Sequence, residues 1–297
     1  VDFLLDQQDR DGFWREFELQ PGASEAWTTA WVGWCLTRAA VEGRGQQFRI
    51  RQACTRVAAT LWASRRDGRW GYNRGTGPDA DSTAWVLRFL SGCGGRVEPA
   101  AYLAPYIDAD GGVHTFREHG FGSWTDPHDD VAANAGLALL ATPAGRPLAA
   151  RILRRLARRF PCETFWWSTP TYGSAWAIRF LKAGGGLSPH IRAATQDWIA
   201  GLPEAMSAFE VAHRLMAALA TDLPGGVAVA LVNQLLDLAG PRGWPGASFL
   251  LVPSRDPGPQ SAPHPELRGL LTTAICVLTL SEWIVGARHR IVGATAR

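Results

Sequence analysis

Gly77-Pro78-Asp79-Ala80-Asp81-Ser82-Thr83-Ala84-Trp85 sets two carboxylates one residue apart, directly ahead of an apolar run, Trp85-Val86-Leu87-Arg88-Phe89-Leu90. A Pro, then Asp and Ser, before such a run is a helix N-terminus signal. The helix dipole favours acidic side chains at that end. For an isolated Asp-x-Asp pair, capping is explanation enough. Here the pair belongs to a pattern that recurs along the whole chain, and the pattern decides the fold.

Working outward from it, six helix-loop-helix units can be read, each an amphipathic helix, a loop and a more apolar second helix. The first has a helix ending near Gln8, the loop Asp11-Gly12-Phe13-Trp14 and a helix over 24–39. The second has helices over 49–64 and 81–91 around Asp67-Gly68-Arg69-Trp70-Gly71-Tyr72. The third has a short helix over 100–107, a long loop from Asp110-Gly111-Gly112 to Trp124, and a helix over 130–141. The fourth has a basic helix over 146–160, a loop with Phe165-Trp166-Trp167, and a helix over 173–183. The fifth pairs 188–201 with 207–220. The sixth pairs 227–239 with 270–285 across Gly243-Trp244-Pro245 and a Pro-rich tract over 253–265. No segment shows sustained strand alternation. The period of roughly 45 to 50 residues is a helical-repeat length. The second helices are apolar nearly all round, as an inner layer must be. The expectation is therefore an all-α chain, a single (α/α)6 barrel over 1–297 with its loops gathered at one mouth. Val1 falls inside a helical pattern, so a short leading segment is expected to precede it.

Registering the second helices on Ser82 to Leu90 defines two columns. The first holds Trp27, Asp81, Asp130, Tyr172, Ser207 and Leu271. One turn deeper come Trp31, Trp85, Asn134, Trp176, Val211 and Ile275. In a closed ring the first column circles the mouth of a cavity and the second lines its wall with three indoles. Carboxylates above aromatic faces suit chemistry as well as packing.

Composition bounds the rest. The 297 residues are 46% hydrophobic and 19% charged, which is globular. A net charge of +3 gives no reason to expect a nucleic-acid partner. Cys35, Cys54, Cys93, Cys162 and Cys276 show no paired spacing, which argues against a disulfide framework or zinc site and fits a reducing cytoplasm. Polar residues interrupt 270–285, so it does not read as a membrane span. Fourteen Trp are more than simple packing asks for, because each buried indole N–H wants a partner.

At this point the sequence resembles the squalene-hopene cyclase and class II terpene cyclase superfamily. Gln8-Asp9-Arg10-Asp11-Gly12-Phe13-Trp14 is similar to that family's Gln/Trp motif, with weaker copies at Arg66-Asp67-Gly68-Arg69-Trp70 and Pro241-Arg242-Gly243-Trp244. Asp79-Ala80-Asp81-Ser82-Thr83-Ala84 is similar to its Asp-x-Asp-Asp-Thr-Ala acid motif, with Ser82 in the place of the last Asp. The resemblance implies an (α/α)6 barrel and a cyclase in which Asp81 is the general acid that protonates an alkene or epoxide, with Asp79 its neighbour. It covers the chain at repeat level but only one barrel's worth, whereas most relatives set the active site between two. The open end then needs a partner protomer in a homodimer, a loop or a peripheral contact with a membrane surface. The expected substrate is an isoprenoid or prenylated small molecule. No cofactor is required; Mg²⁺ enters only if the substrate carries a diphosphate.

The chemistry agrees with the residues. A carboxyl protonates an alkene only if it is neutral, and burial beside a second carboxylate raises an Asp pKa by up to ~3–5 units. The resulting carbocation needs cation–π faces and no nucleophile. Trp31, Trp85 and Trp176 are the first candidates, followed by Trp27, Trp34 and Tyr172. Asp130, Tyr172 and His128 stand as terminating groups. Asp126-Pro127-His128-Asp129-Asp130 reads chiefly as a helix entry, with a mouth or Mg²⁺-diphosphate role for Asp130 as the alternative. Asn134 falls in the wall column. Arg88, Arg179 and Arg214 share a further column; they either pair with groups between helices or bind an anionic head. Arg154, Arg155, Arg158 and Arg159 read as a solvated face, the loop Trp14, Trp70, Trp124 and Trp244 as structural, and Cys93 and Cys162 as buried apolar residues. Three other readings remain open: the same acid acting on a small non-terpenoid substrate, a non-catalytic lipid- or protein-binding barrel with solvated Asp79 and Asp81, and a carbohydrate-active barrel using well-separated carboxylates. A zinc-dependent barrel like the prenyltransferase β subunit lacks its ligand pattern here.

Overall fold

The computed structural model describes residues 1–118, 120–223, 225–253 and 263–295, with side chains to residue 288. Most of the expected Pro-rich tract, 254–262, lies outside the described residues. Each unit contributes an outer and an inner helix. In order they are α1 (Asp2–Asp6) and α2 (Ala26–Arg38), α3 (Arg44–Ser64) and α4 (Ala80–Gly92), then α5 (Pro99–Leu103) and α6 (Asp129–Leu139). The remaining pairs are α7 (Arg146–Arg159) and α8 (Thr171–Ala183), α9 (Pro189–Gly201) and α10 (Ala208–Thr221), then α11 (Gly225–Asp237) and α12 (Leu270–Thr295). The even-numbered helices pack each on the next, and α12 packs back on α2, so the ring is closed. The all-α barrel expected from the repeat is the architecture observed.

Burial sorts the two layers. From Ala26 to Leu36 every residue of α2 is buried, whereas α7 buries only Ala149, Ile152 and Leu156 and turns its arginines outward. That outer face is not wholly solvated: Arg159 bonds Asp129 at 3.0 Å and Arg155 pairs with Asp110. Among the described helices only α12 is long and apolar enough to cross a membrane, and it forms a wall of the ring. Two short antiparallel hairpins escaped the sequence pattern: β1 (Glu16–Leu19) with β2 (Gly22–Ser24), and β3 (Phe249–Leu250) with β4 (His264–Pro265). Both are too short for alternation to register.

The Gln/Trp-like loops are latches. Each loop Trp donates its indole N–H to a carbonyl in the last turn of its own outer helix: Trp14 to Leu4 at 2.6 Å, Trp70 to Leu61 at 2.7 Å, Trp244 to Leu235 at 2.7 Å. Those carbonyls have no backbone N–H partner within the helix. The same Trp backbone exchanges two bonds with a Thr hydroxyl on its inner helix: Trp14 with Thr29, Trp70 with Thr83, Trp244 with Thr273. In the fourth unit Cys162 takes the Trp place, its Sγ toward Leu156 O at 3.9 Å and its backbone exchanging bonds with Ser174. Outer and inner helix are thus fastened within each such unit by hydrogen bonds, rather than by stacking on the next hairpin. Asp67 and Gly68 both take positive φ (49° and 77°) in the turn before Trp70, the conformation for which Asp-Gly is favoured. The expectation for Cys93 is corrected, since it is exposed at the C-cap of α4; Cys162 is buried.

Candidate active site

At the end where the inner helices start, a cavity of about 920 Å³ is lined by the first turns of α2 and α4 and by loop residues. Its lip comes from loops of several units tied together. Ser168 N–H donates to Phe249 O at 3.1 Å, Leu251 N–H to Trp166 O at 2.8 Å, and Trp124 Nε1 to Pro253 O at 2.7 Å. The fourth-unit loop is held from below by Asp130, whose Oδ2 accepts from the Phe165 and Trp166 backbones, both at 3.0 Å. Phe116, Phe121, Trp124, Trp166 and Trp167 form an aromatic wall, with Trp27 and Tyr72 facing them.

Asp79 and Asp81 lie at the base of this cavity. Asp79 is the N-cap of α4. It accepts from Ser82 N–H at 2.7 Å and from the Ser82 hydroxyl at 2.7 Å. Burial, opposed by those bonds, pushes its carboxyl up to about 6. The third place of the motif therefore holds a donor to the first carboxylate rather than a further acid. Asp81, one residue into the helix, is free of capping. Trp27 Nε1 donates to its Oδ2 at 3.0 Å, and Asn134 Nδ2 to its Oδ1 at 3.4 Å. Burial first, then the neighbouring Asp79 and Asp130 carboxylates, raise it well above the ordinary carboxylate range. Asn134 is oriented from behind: its Oδ1 accepts from Arg88 Nη1 at 2.6 Å and its Nδ2 donates to the Tyr172 hydroxyl at 3.1 Å.

The expected columns separate in depth. Trp27, Asp79 and Asp81 reach the cavity, with Asn134 and Tyr172 directly behind Asp81. The wall expected of Trp31, Trp85 and Trp176 is instead a plug. All three are fully buried and meet at centroid distances of 4.5, 5.1 and 5.7 Å, because inward residues of six close-packed helices converge on the axis. Trp34, Arg88 and Arg179 lie beyond the plug, at the C-terminal ends of the inner helices. Arg179 pairs with Glu282 and Arg214 with Glu210, the structural half of their expectation. Asp130 is saturated by backbone donors, the third being Val131 at 3.0 Å, and does not face the cavity; burial pushes it up to about 6. His128 is stacked on Phe165 at 3.7 Å and bonded to Thr115 and Ser123, and burial lowers it to about 4. Among the described residues no cluster of His, Cys, Asp or Glu is placed to hold a metal ion.

Sequence reasoning missed the loop aromatics. Trp124, expected to be structural, also lines the cavity. Three consecutive aromatics in a loop, Phe165-Trp166-Trp167, were the available signal, since a loop does not spend such area without a surface to cover. Glu118 and His264 also line the cavity, on loops whose position no helical register fixes.

Compared by sequence with protein-family models and with curated proteins, the chain matches none. Compared by structure, it is similar to the type II terpene cyclase MstE from Scytonema, with TM-score 0.78, 23% identity, and 95% of each chain covered. Variants of that protein, 22% identical to this chain, have been solved with geranylgeranyl dihydroxybenzoate as substrate and with merosterolic acid A as product. A protein from Actinoplanes is similar at TM-score 0.79 and 25% identity, over 95% of this chain and 96% of that one. The likeness runs through a whole single barrel and establishes the fold.

Proposed function

We propose that this chain is a protonation-initiated cyclase of the class II terpene cyclase kind, acting on a prenylated small molecule. The observation that carries the reading is Asp81: a carboxyl raised well above the usual carboxylate range by burial and neighbouring carboxylates, lining a large aromatic cavity. Asp81 gives its proton to the CH carbon of the terminal trisubstituted alkene, and its dimethyl-bearing carbon becomes the tertiary cation. Later alkenes attack in turn, forming ring bonds, until a proton is lost. Trp27 and Asn134 then stabilise the Asp81 carboxylate left behind, each by one N–H. Proton transfer of this kind needs no metal. The faces suited to the cation are Trp27, Trp124, Trp166 and Trp167, which reach the cavity, rather than the plug indoles. Asp79 supplies charge that keeps Asp81 protonated. A terminating base is to be sought at Glu118 and His264.

Support for the substrate class comes from volume, lining and likeness. The cavity lies near the top of the ~300–1,000 Å³ range of small-molecule sites, and its wall is dominated by aromatic rings. That does not suit a small polar substrate. The structurally similar protein takes a prenylated aromatic acid. The test is turnover of a panel of prenylated aromatic acids, including geranylgeranyl dihydroxybenzoate, with the parent chain and with Asp81→Asn. The parent is expected to give cyclised product and the variant at least about a thousandfold less, since an amide cannot donate that proton. Equal turnover by both would remove Asp81 from the mechanism.

A further inference from the structure

We infer that the opposite end of the barrel is a second binding site, for an oxyanion carried on a small apolar body. The C-terminal ends of the inner helices surround a cavity of about 760 Å³. It shares no lining residue with the Asp81 cavity, and the Trp31, Trp85 and Trp176 plug lies between them. Four cations line it, Arg38, Arg88, Arg179 and Lys182, against two carboxylates, Asp222 and Glu282. Arg179 is bonded to Glu282 at 2.9 Å and Lys182 reaches Asp222 at 3.6 Å. Arg38 and Lys182 sit in last helical turns, where the dipole favours a cation without any ligand.

Arg88 has neither explanation. It precedes the last turn of α4, is 6% exposed, and has no carboxylate partner among the described residues. Its guanidinium lies 4.1, 4.2 and 4.8 Å from the ring centroids of Trp34, Trp85 and Trp176. Nη1 donates to Asn134, but Nη2 is buried with no acceptor. Indole faces offset part of the charge, yet they do not satisfy an N–H in low dielectric. An oxyanion seated on Nη2 does both. Burial and the neighbouring Arg179 already work against the Arg88 charge, and a bound anion reverses that balance. Leu137, Met216 and Leu219 line the same cavity and suit a short apolar body. A carboxylate or a phosphate monoester carries both features.

Calorimetric titration of the full chain with hexanoate and, separately, inorganic phosphate tests the site. Saturable binding is expected, tighter for hexanoate. Arg88→Met should weaken it by at least about tenfold, the loss of a charge-assisted bond. Ala141→Glu sets a carboxylate on the exposed rim and should weaken it as well, which covers the case in which Arg88→Met does not fold. Asp81→Asn should leave it unchanged, so the result stands apart from any catalytic role of Asp81. No saturable heat with either probe, or binding that survives both Arg88→Met and Ala141→Glu, overturns the site. Phosphate bound more tightly than hexanoate overturns its apolar half.

Discussion

At the residue scale, the two Asp of the opening motif, two positions apart, divide their work. Asp79 caps, and its bonds to Ser82 favour the ionised form; Asp81 sits past the cap, where burial favours the neutral form. An acid that must be protonated is active below its raised pKa and fails as pH rises through it. The rate of cyclisation should therefore be flat on the acid side and fall tenfold per pH unit on the alkaline side, as steady-state rates across pH would record. Trp27→Phe keeps the ring but removes the N–H that stabilises the Asp81 carboxylate. A roughly tenfold lower kcat is expected, with KM little changed. Asp130 gives a stability prediction of definite sign. Its folded pKa of about 6 lies above the ordinary 3.8, so its contribution is present below pH 3.8 and is lost as pH rises through 6. Relative to Asp130→Asn, the parent should lose roughly 3 kcal/mol between pH 3.8 and 7, read from urea midpoints at each pH. A gap that widens with pH would mean that the three backbone donors outweigh burial.

At the scale of elements, the repeat is held by a latch in which one aromatic side chain serves two helices. Thr83→Val keeps shape and removes both bonds to the Trp70 backbone. It should cost about 1–2 kcal/mol in urea unfolding, because it leaves the buried Trp70 N–H without a partner while the Trp70 C=O keeps the Asp79 N–H at 3.0 Å. Thr29→Val and Thr273→Val act on separate units, so the penalties should add. Much of this was legible in the sequence. The Asp-Gly turns, the Trp spacing and the apolar second helices point to all six units, and element bounds match to within a few residues except at the start of α3, the end of the short α5 and the end of the long α12. What was not legible was the latch itself. A Thr one position past the register residue looks like helix filler, and Cys162 in the Trp place carries no motif at all.

For the whole molecule, ring closure depends on inner helices approaching closely. A Cβ on Gly33 would meet Phe89 at 2.5 Å, and one on Gly136 would meet Phe180 at 2.4 Å, so at two of the six contacts a ring on one helix fits a glycine on the previous one. Gly136→Ala should destabilise by about 1–3 kcal/mol through overpacking, measured as a fall in urea midpoint. The depth order of the columns was readable, since it follows from a 3.6-residue turn. What the six converging residues would do at the axis was not, because it depends on their summed volume. Three indoles are too large to line a tube of six helices, and they close it. One barrel thereby has two separate ends, a buried carboxyl under aromatic loops at one and an arginine-lined cavity at the other. Loops from the third, fourth and sixth units form the lip, and their aromatic residues follow no helical period, which is why the cavity's walls were less legible than its floor.

The most direct measurement of the central claim is cyclisation of a prenylated aromatic acid with a terminal alkene in D₂O. Protonation by Asp81, in exchange with solvent, predicts one deuterium per product molecule at the carbon that was the CH of the terminal trisubstituted alkene, and no cyclised product from Asp81→Asn. Product formed without solvent deuterium, or formed at the parent rate by Asp81→Asn, would contradict it.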